Sequence, residues 1–223
     1  MSEEQQRLLR TLTRVVSALR EQNLRFALTG GCAVYARGGH ASEHDVDVLI
    51  QKSDVVPALE ALGEWGMTAK DPAEDWLMKA YDGDLLVDLI HRPNECPVDR
   101  ELLDRADQVR VGPITAPVMP ATYVAVDKLM VLGPHRCDMT EMLLVTRALR
   151  EQIDWQEVCE ETEQSPYAEA FLLLVERLGI IGPESFSRRG RIDEELRAAT
   201  RGPSAGHPAD VRNTDQGAFR KRL

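Results

Sequence analysis

The 223-residue sequence has no apolar run approaching the ~20 residues that a membrane-spanning helix requires, so a membrane-embedded role is excluded. Met1 to Arg10 are polar and charged, so no secretory signal is expected, and the reading is a cytoplasmic protein with no membrane partner. The sequence also lacks a Cys-x-x-Cys pair. Cys32, Cys96, Cys137 and Cys159 lie far apart, which excludes a zinc knuckle or a dithiol redox motif and predicts reduced thiols. Positive charge is short as well: 27 Lys and Arg stand against 37 Asp and Glu, a formal net charge of −10. A nucleic acid is repelled at long range by such a surface unless basic residues cluster locally. Two late clusters exist, Arg188-Arg189-Gly190-Arg191 and Arg220-Lys221-Arg222, and both read as solvated segments. No internal repeat is evident.

The informative stretch runs from Phe26 to Ile50. Phe26 to Leu28 has strand character, Gly30-Gly31 breaks it, and Cys32 to Ala36 favours a helical turn, so the order is strand, tight glycine turn, helix. Glycines there let backbone approach a ligand closely, and amide groups in the following turn suit a phosphate. Cys32 beside them reads as a small packed residue rather than a nucleophile. Further on, Asp45 and Asp47 flank Val46 at the start of a β-rich run. Side chains two apart share a strand face, so these carboxylates lie roughly 6.6 Å apart at the backbone, close enough to share divalent cations. Mg²⁺ prefers carboxylates plus substrate phosphates to an all-protein cage. A glycine turn for phosphate beside an Asp-x-Asp strand for metal makes a coherent nucleotide site.

These residues resemble the DNA polymerase beta superfamily of nucleotidyltransferases, whose signature is Gly-Gly or Gly-Ser, a short helix, then Asp-apolar-Asp-apolar on the next strand. The family adds a third carboxylate on a later strand, and Asp88 in Leu85 to Ile90 matches it. The resemblance implies that Asp45, Asp47 and Asp88 bind Mg²⁺ (or Mn²⁺) and that Asp88 also acts on the attacking hydroxyl. The family often carries Ser or Thr two positions before the first Asp; here Ser42 stands three before it. His40, His44 and His91 have no zinc-ligand company and read as polar loop residues near substrate.

Around that core the periodicity predicts an amphipathic helix over Glu3 to Gln22, a helix capped by Ser53-Asp54, and a hairpin from Trp76 to Ile90 turning at Asp82-Gly83-Asp84. A short helix over Arg100 to Ala106 leads to a final strand, Val109 to Val118, and the pattern then turns helical: Tyr123 to Leu132, Met139 to Arg150, Trp155 to Thr162 and Tyr167 to Leu178. Within this half Lys128, with Arg136-Cys137-Asp138, resembles the Lys and Arg-x-Asp element of abortive-infection (AbiEii-type) nucleotidyltransferase toxins. That resemblance implies that Lys128 binds nucleotide phosphate with Asp138 close by. After Gly182-Pro183 the sequence becomes polar and rich in Gly, Pro and Ser, with one or two helical turns possible over Ile192 to Ala199.

The expected architecture is α/β (α+β): a minimal nucleotidyltransferase mixed sheet flanked by helices over residues 1–112, a helical domain over 113–189, and a polar tail over 190–223. The expected activity is Mg²⁺-dependent transfer of a nucleoside monophosphate from an NTP to an acceptor hydroxyl, with Gly30 and Gly31 admitting the triphosphate and Lys128 and Asp138 beside it. The toxin resemblance implies RNA as acceptor and an antitoxin protein as partner. Net acidity favours instead a small cationic acceptor, as in antibiotic nucleotidyltransferases, and a third reading is a noncatalytic binding module of the same fold.

Overall fold

The computed structural model describes residues 2–40 and 45–182. These belong to one compact unit, Met1–Phe186; a second unit, Ser187–Leu223, lies outside the described residues. The expectations for Ser42, His44, the two basic clusters and the polar tail therefore fall on residues that are not described.

Helix α1 (Glu3–Glu21) starts where Ser2 accepts a hydrogen bond from the Gln5 amide. Its buried stripe is the one that the 3.6-residue period marks: Leu8, Leu12, Val15, Val16 and Leu19 are all within 1% of full burial. Asn23, at φ 54°, ends it, and the Leu24 amide returns to the Leu19 carbonyl. Strand β1 (Phe26–Leu28) then leads through the glycine turn into α2 (Gly30–Ala36), and β2 (Asp45–Ile50) returns antiparallel to β1.

Helix α3 (Val55–Glu64) packs on α1. The expected cap at its start is corrected: a 3-10 turn, Lys52–Asp54, intervenes, and neither Ser53 nor Asp54 caps the helix, because the Ser53 hydroxyl is spent on the Asp54 carboxylate. The hairpin β4 (Leu77–Asp82) and β5 (Leu85–Ile90) turns over Gly83 and Asp84 as its sequence dictates. Sequence reasoning missed β3 (Thr68–Lys70), an edge strand whose three residues are all exposed and which has no apolar side to signal it.

Helix α4 (Arg100–Asp104) is capped by Asp99. The single expected strand Val109 to Val118 is instead a hairpin, β6 (Asp107–Val111) and β7 (Ile114–Val118), folded at Gly112, whose φ of 58° suits a residue without a Cβ. The sheet therefore runs past residue 112 to Val118. Four helices follow: α5 (Ala121–Met130), α6 (Thr140–Leu149), α7 (Trp155–Glu161) and α8 (Pro166–Arg177).

The result is a seven-stranded mixed sheet in the order β3-β4-β5-β2-β1-β7-β6, with helices packed against it. Val46, Val48 and Ile50 are fully buried, while Asp45 and Asp47, at the alternate positions of β2, are half-buried. Helix α5 packs on α2, which brings the helical half of the chain against the glycine turn. No helix of the described residues is long and apolar enough to cross a membrane.

Candidate active site

Two adjacent strands assemble the acidic centre. β2 and β5 pair in parallel, with Asp47 opposite Asp88 and Asp45 opposite Leu86. Oxygen atoms of Asp45, Asp47 and Asp88 lie within 4.8 Å of one another. Burial, and then the neighbouring Asp45 and Asp88, push the Asp47 carboxyl up to about 7. Asp88 is pushed up to about 6, chiefly by burial; Lys79, its direct partner on β4, works against the rise. Asp88 Oδ1 is closed off from solvent and has no hydrogen-bond partner. Three crowded carboxylates with an unpaired buried oxygen fit a hard divalent cation, Mg²⁺ or Mn²⁺, whose charge reverses the cost of ionising them together.

The glycine turn serves this centre directly. The Thr29 amide donates to the Asp47 carbonyl at 3.0 Å, fixing the turn beside β2. Gly30 has φ 54°, and a Cβ there would sit 1.9 Å from Asp47 Oδ2. The expected close approach of backbone is thus made to the Asp47 carboxylate, which also accepts a hydrogen bond from the Gly31 amide. Cys32 is fully buried behind the turn; burial and then Asp47 raise its thiol pKa far above the usual range, as befits a packed residue.

Gly30, Gly31, Asp45, Asp47 and Lys128 all line one cavity of about 980 Å³. Lys128, on α5, donates to Glu141 Oε1 at 2.6 Å, and that bond holds the Glu141 carboxyl below its usual range. Asp138 is not brought into the cavity. It is exposed and accepts a hydrogen bond from the Thr140 amide at 2.9 Å at the start of α6, while its neighbour Arg136 lines the cavity. Of the histidines, His40 lines the cavity and His91 is buried away from it.

Sequence reasoning missed the segment that follows β5. Arg92, Pro93, Asn94 and Glu95 line the same cavity, as does Trp76, just before β4. Arg92 pairs with Asp75 and Glu95, each at 2.8 Å. Asn94 and Glu95 take the left-handed conformation in succession, with φ 47° and 62°. Asn94 Nδ2 reaches α5, donating to Asp127 Oδ1 at 2.7 Å and to the Asp127 carbonyl at 3.3 Å. Burial raises the Asp127 carboxyl pKa, and Lys128 partly offsets this. Non-glycine residues in this region are strained and concentrate at functional sites. The available signal was an Arg-Pro-Asn run a few residues beyond the third carboxylate.

Residues 1–180 match the model of a family described as uncharacterised nucleotidyltransferase. Among solved structures, the chain is similar to ANT(2″)-Ia in complex with adenylyl-2″-tobramycin: 16% identity, 74% of this chain, 97% of that chain, TM-score 0.53. A solution structure of the antibiotic-resistance factor ANT(2″)-Ia is similar at 17% identity, over 77% and 94% of the two chains, with TM-score 0.52. A lincomycin-bound lincosamide antibiotic adenylyltransferase shows 12% identity over 65% and 94%, with TM-score 0.42. No curated protein matches the sequence.

Proposed function

We propose that this chain, which belongs to the uncharacterised nucleotidyltransferase family, transfers a nucleoside monophosphate from an NTP to an acceptor hydroxyl in an Mg²⁺-dependent (or Mn²⁺-dependent) reaction. The observation that carries this reading is the convergence of Asp45, Asp47 and Asp88 from two adjacent strands beside Gly30-Gly31. In it Asp45, Asp47 and Asp88 would hold the divalent cations, which, when bound, would neutralise charge developing on the transferred phosphoryl group and lower the pKa of the acceptor oxygen. The chain's own residues do the positioning. The glycine turn leaves room for the triphosphate, Lys128 offers it a point charge, and Asp88 receives the acceptor proton. Transfer of this kind asks for placement and charge stabilisation more than for covalent chemistry.

The charge of the lining supports an uncharged or cationic acceptor. Five carboxylates, Asp45, Asp47, Glu95, Asp127 and Glu141, face three cations, Arg92, Lys128 and Arg136. Two divalent cations and an ionised triphosphate roughly cancel, so a bound complex still presents an acidic wall to whatever enters next. An amine-bearing small molecule, of the kind that ANT(2″)-Ia holds as adenylyl-2″-tobramycin, suits such a wall. Acceptor RNA with an antitoxin partner is the second reading, favoured by the presence in the cavity of Lys128, the residue on which the toxin resemblance rests. A cytoplasmic location belongs to either reading, in keeping with four free cysteines and a nucleotide substrate.

The test incubates the protein with each labelled NTP and Mg²⁺, in parallel with total RNA, an aminoglycoside panel and lincomycin. Metal-dependent appearance of label on an acceptor, with pyrophosphate release, is the expected result. Absence of Mg²⁺–NTP binding by calorimetry, together with absence of transfer, removes the reading.

A further inference from the structure

The junction between β1 and α2 contains a hydroxyl that the fold leaves unused. Thr29 is 2% exposed, lines the cavity beside Gly30 and Gly31, and its Oγ1 is closed off from solvent with no hydrogen-bond partner. It stands where a threonine commonly caps the following helix, yet its hydroxyl accepts no bond from that helix, whose Ala33 amide bonds the Thr29 carbonyl instead. Its backbone is ordinary extended chain, φ −135° and ψ −164°, so no conformational demand selects Thr. A buried hydroxyl without a partner is destabilising, and valine has nearly the same shape with no polar atom to satisfy. The residue therefore carries a cost that a ligand accepting from its hydroxyl can remove.

The cavity indicates what that ligand offers. Of the donors at this end, the Gly31 amide is taken by the Asp47 carboxylate and the Lys128 ammonium is engaged by Glu141. Thr29 is held in place by its own amide bond to the Asp47 carbonyl, so its side chain keeps a fixed relation to the acidic centre. Rotation among the staggered wells of χ1 exchanges methyl and hydroxyl, so the donor is not confined to the position in which it has no partner. The Thr29 hydroxyl is the side-chain donor that the turn Thr29-Gly30-Gly31 carries beside Asp47. Gly31, which has no side chain, cannot provide one.

We infer that the Thr29 hydroxyl is a phosphate-binding group, donating to a phosphoryl oxygen of the NTP at the glycine turn. The assignment rests on the nucleotidyltransferase reading above and adds a residue to its nucleotide site.

Thr29→Val and Thr29→Ser test it on the full chain. Thermal melting without ligand should show Thr29→Val as stable as the wild type or more so, because an unsatisfied buried hydroxyl is gone. Calorimetry with Mg²⁺ and the α,β-methylene analogues of the four NTPs should show Thr29→Val binding about tenfold more weakly, and Thr29→Ser close to wild type. A purely structural role predicts affinity and melting temperature falling together. Mn²⁺ binding without nucleotide should be the same in all three proteins. If the wild type binds no analogue, the nucleotidyltransferase reading fails and this inference with it. If the wild type binds and Thr29→Val binds equally well, the inference alone is overturned. Loss of Mn²⁺ affinity in Thr29→Val, or no rescue by Thr29→Ser, likewise overturns the phosphate assignment.

Discussion

The acidic centre and the lysine beside it are held by different means. In the acidic centre, Asp47 and Asp88 are placed by the backbone register of two hydrogen-bonded strands, and Gly30 closes against Asp47 with no room for a methyl group. Lys128 is placed by one side-chain ion pair to Glu141 across a helix pair, with Glu141 62% exposed. The first arrangement cannot shift without breaking a ladder; the second can exchange partners at the cost of rotating two side chains. Under the proposed function, a site that would hold metal in one geometry but receive and then release a charged product is well served by this division.

Breaking the rigid end should have the largest effect. Asp88→Asn keeps shape and loses charge, so once transfer is established for the wild type its rate should fall by about 10²-fold or more, while Mg²⁺–NTP binding stays measurable. Retention of most of the rate would reduce Asp88 to a strand residue. Breaking the adjustable end should cost less: Lys128→Ala should weaken Mg²⁺–NTP binding about tenfold by calorimetry, and unchanged affinity would mark Lys128 as an ordinary helix-surface cation.

Removing Lys128's partner sharpens the contrast. Glu141→Gln releases the ammonium, and the nucleotide affinity should hold or tighten by roughly two- to threefold, as exposed ion pairs contribute little by themselves. A marked loss of affinity would show that the pair positions the lysine as firmly as the strands position the carboxylates.

The smallest effect concerns stability against pH in chelator. Asp47 near 7 and Asp88 near 6 lie above the usual carboxylate value of ~3.9, so the folded protein holds these protons more tightly than the unfolded chain. Their contribution is fully present below about pH 4 and is lost as pH rises through 6 to 7. Asp47→Asn should therefore gain on the wild type as pH rises, by roughly 2–4 °C in melting temperature at pH 8, and Mn²⁺ should abolish the gap by stabilising the wild type alone. A gap that does not vary with pH would remove crowding of carboxylates as its cause.

How far the site could be read from sequence follows the same division. Gly30, Asp45, Asp47 and Asp88 were legible because a tight turn and alternating strand positions have local signatures. Lys128 was singled out by a resemblance alone, since nothing local distinguishes a cation that faces a cavity, as Lys128 does, from one that faces water. Asp138 was drawn in by the same resemblance, and the structure gives it a local bond to Thr140 instead. Asn94 shows the limit. Its hydrogen bonds to Asp127 join residues 33 positions apart, and only the closed fold reveals that a turn after β5 is tied to the helix that bears Lys128. Strand β3 escaped because sheet edges demand no apolar side, and the β6–β7 hairpin because a single glycine inside an apolar run can end a strand or merely bend it.

The row that crosses the sheet at Asp88 has one more consequence. Lys70, Lys79, Asp88 and Asp47 stand in register on four neighbouring strands. Strand pairing admits only whole-residue errors, and a slip of β5 by one residue would turn Asp88 to the opposite face and present Val87 or Leu89 in its place. A register error at this row is accordingly all-or-none: a molecule either presents Asp88 beside Asp47 or presents an apolar residue there, with no intermediate placement.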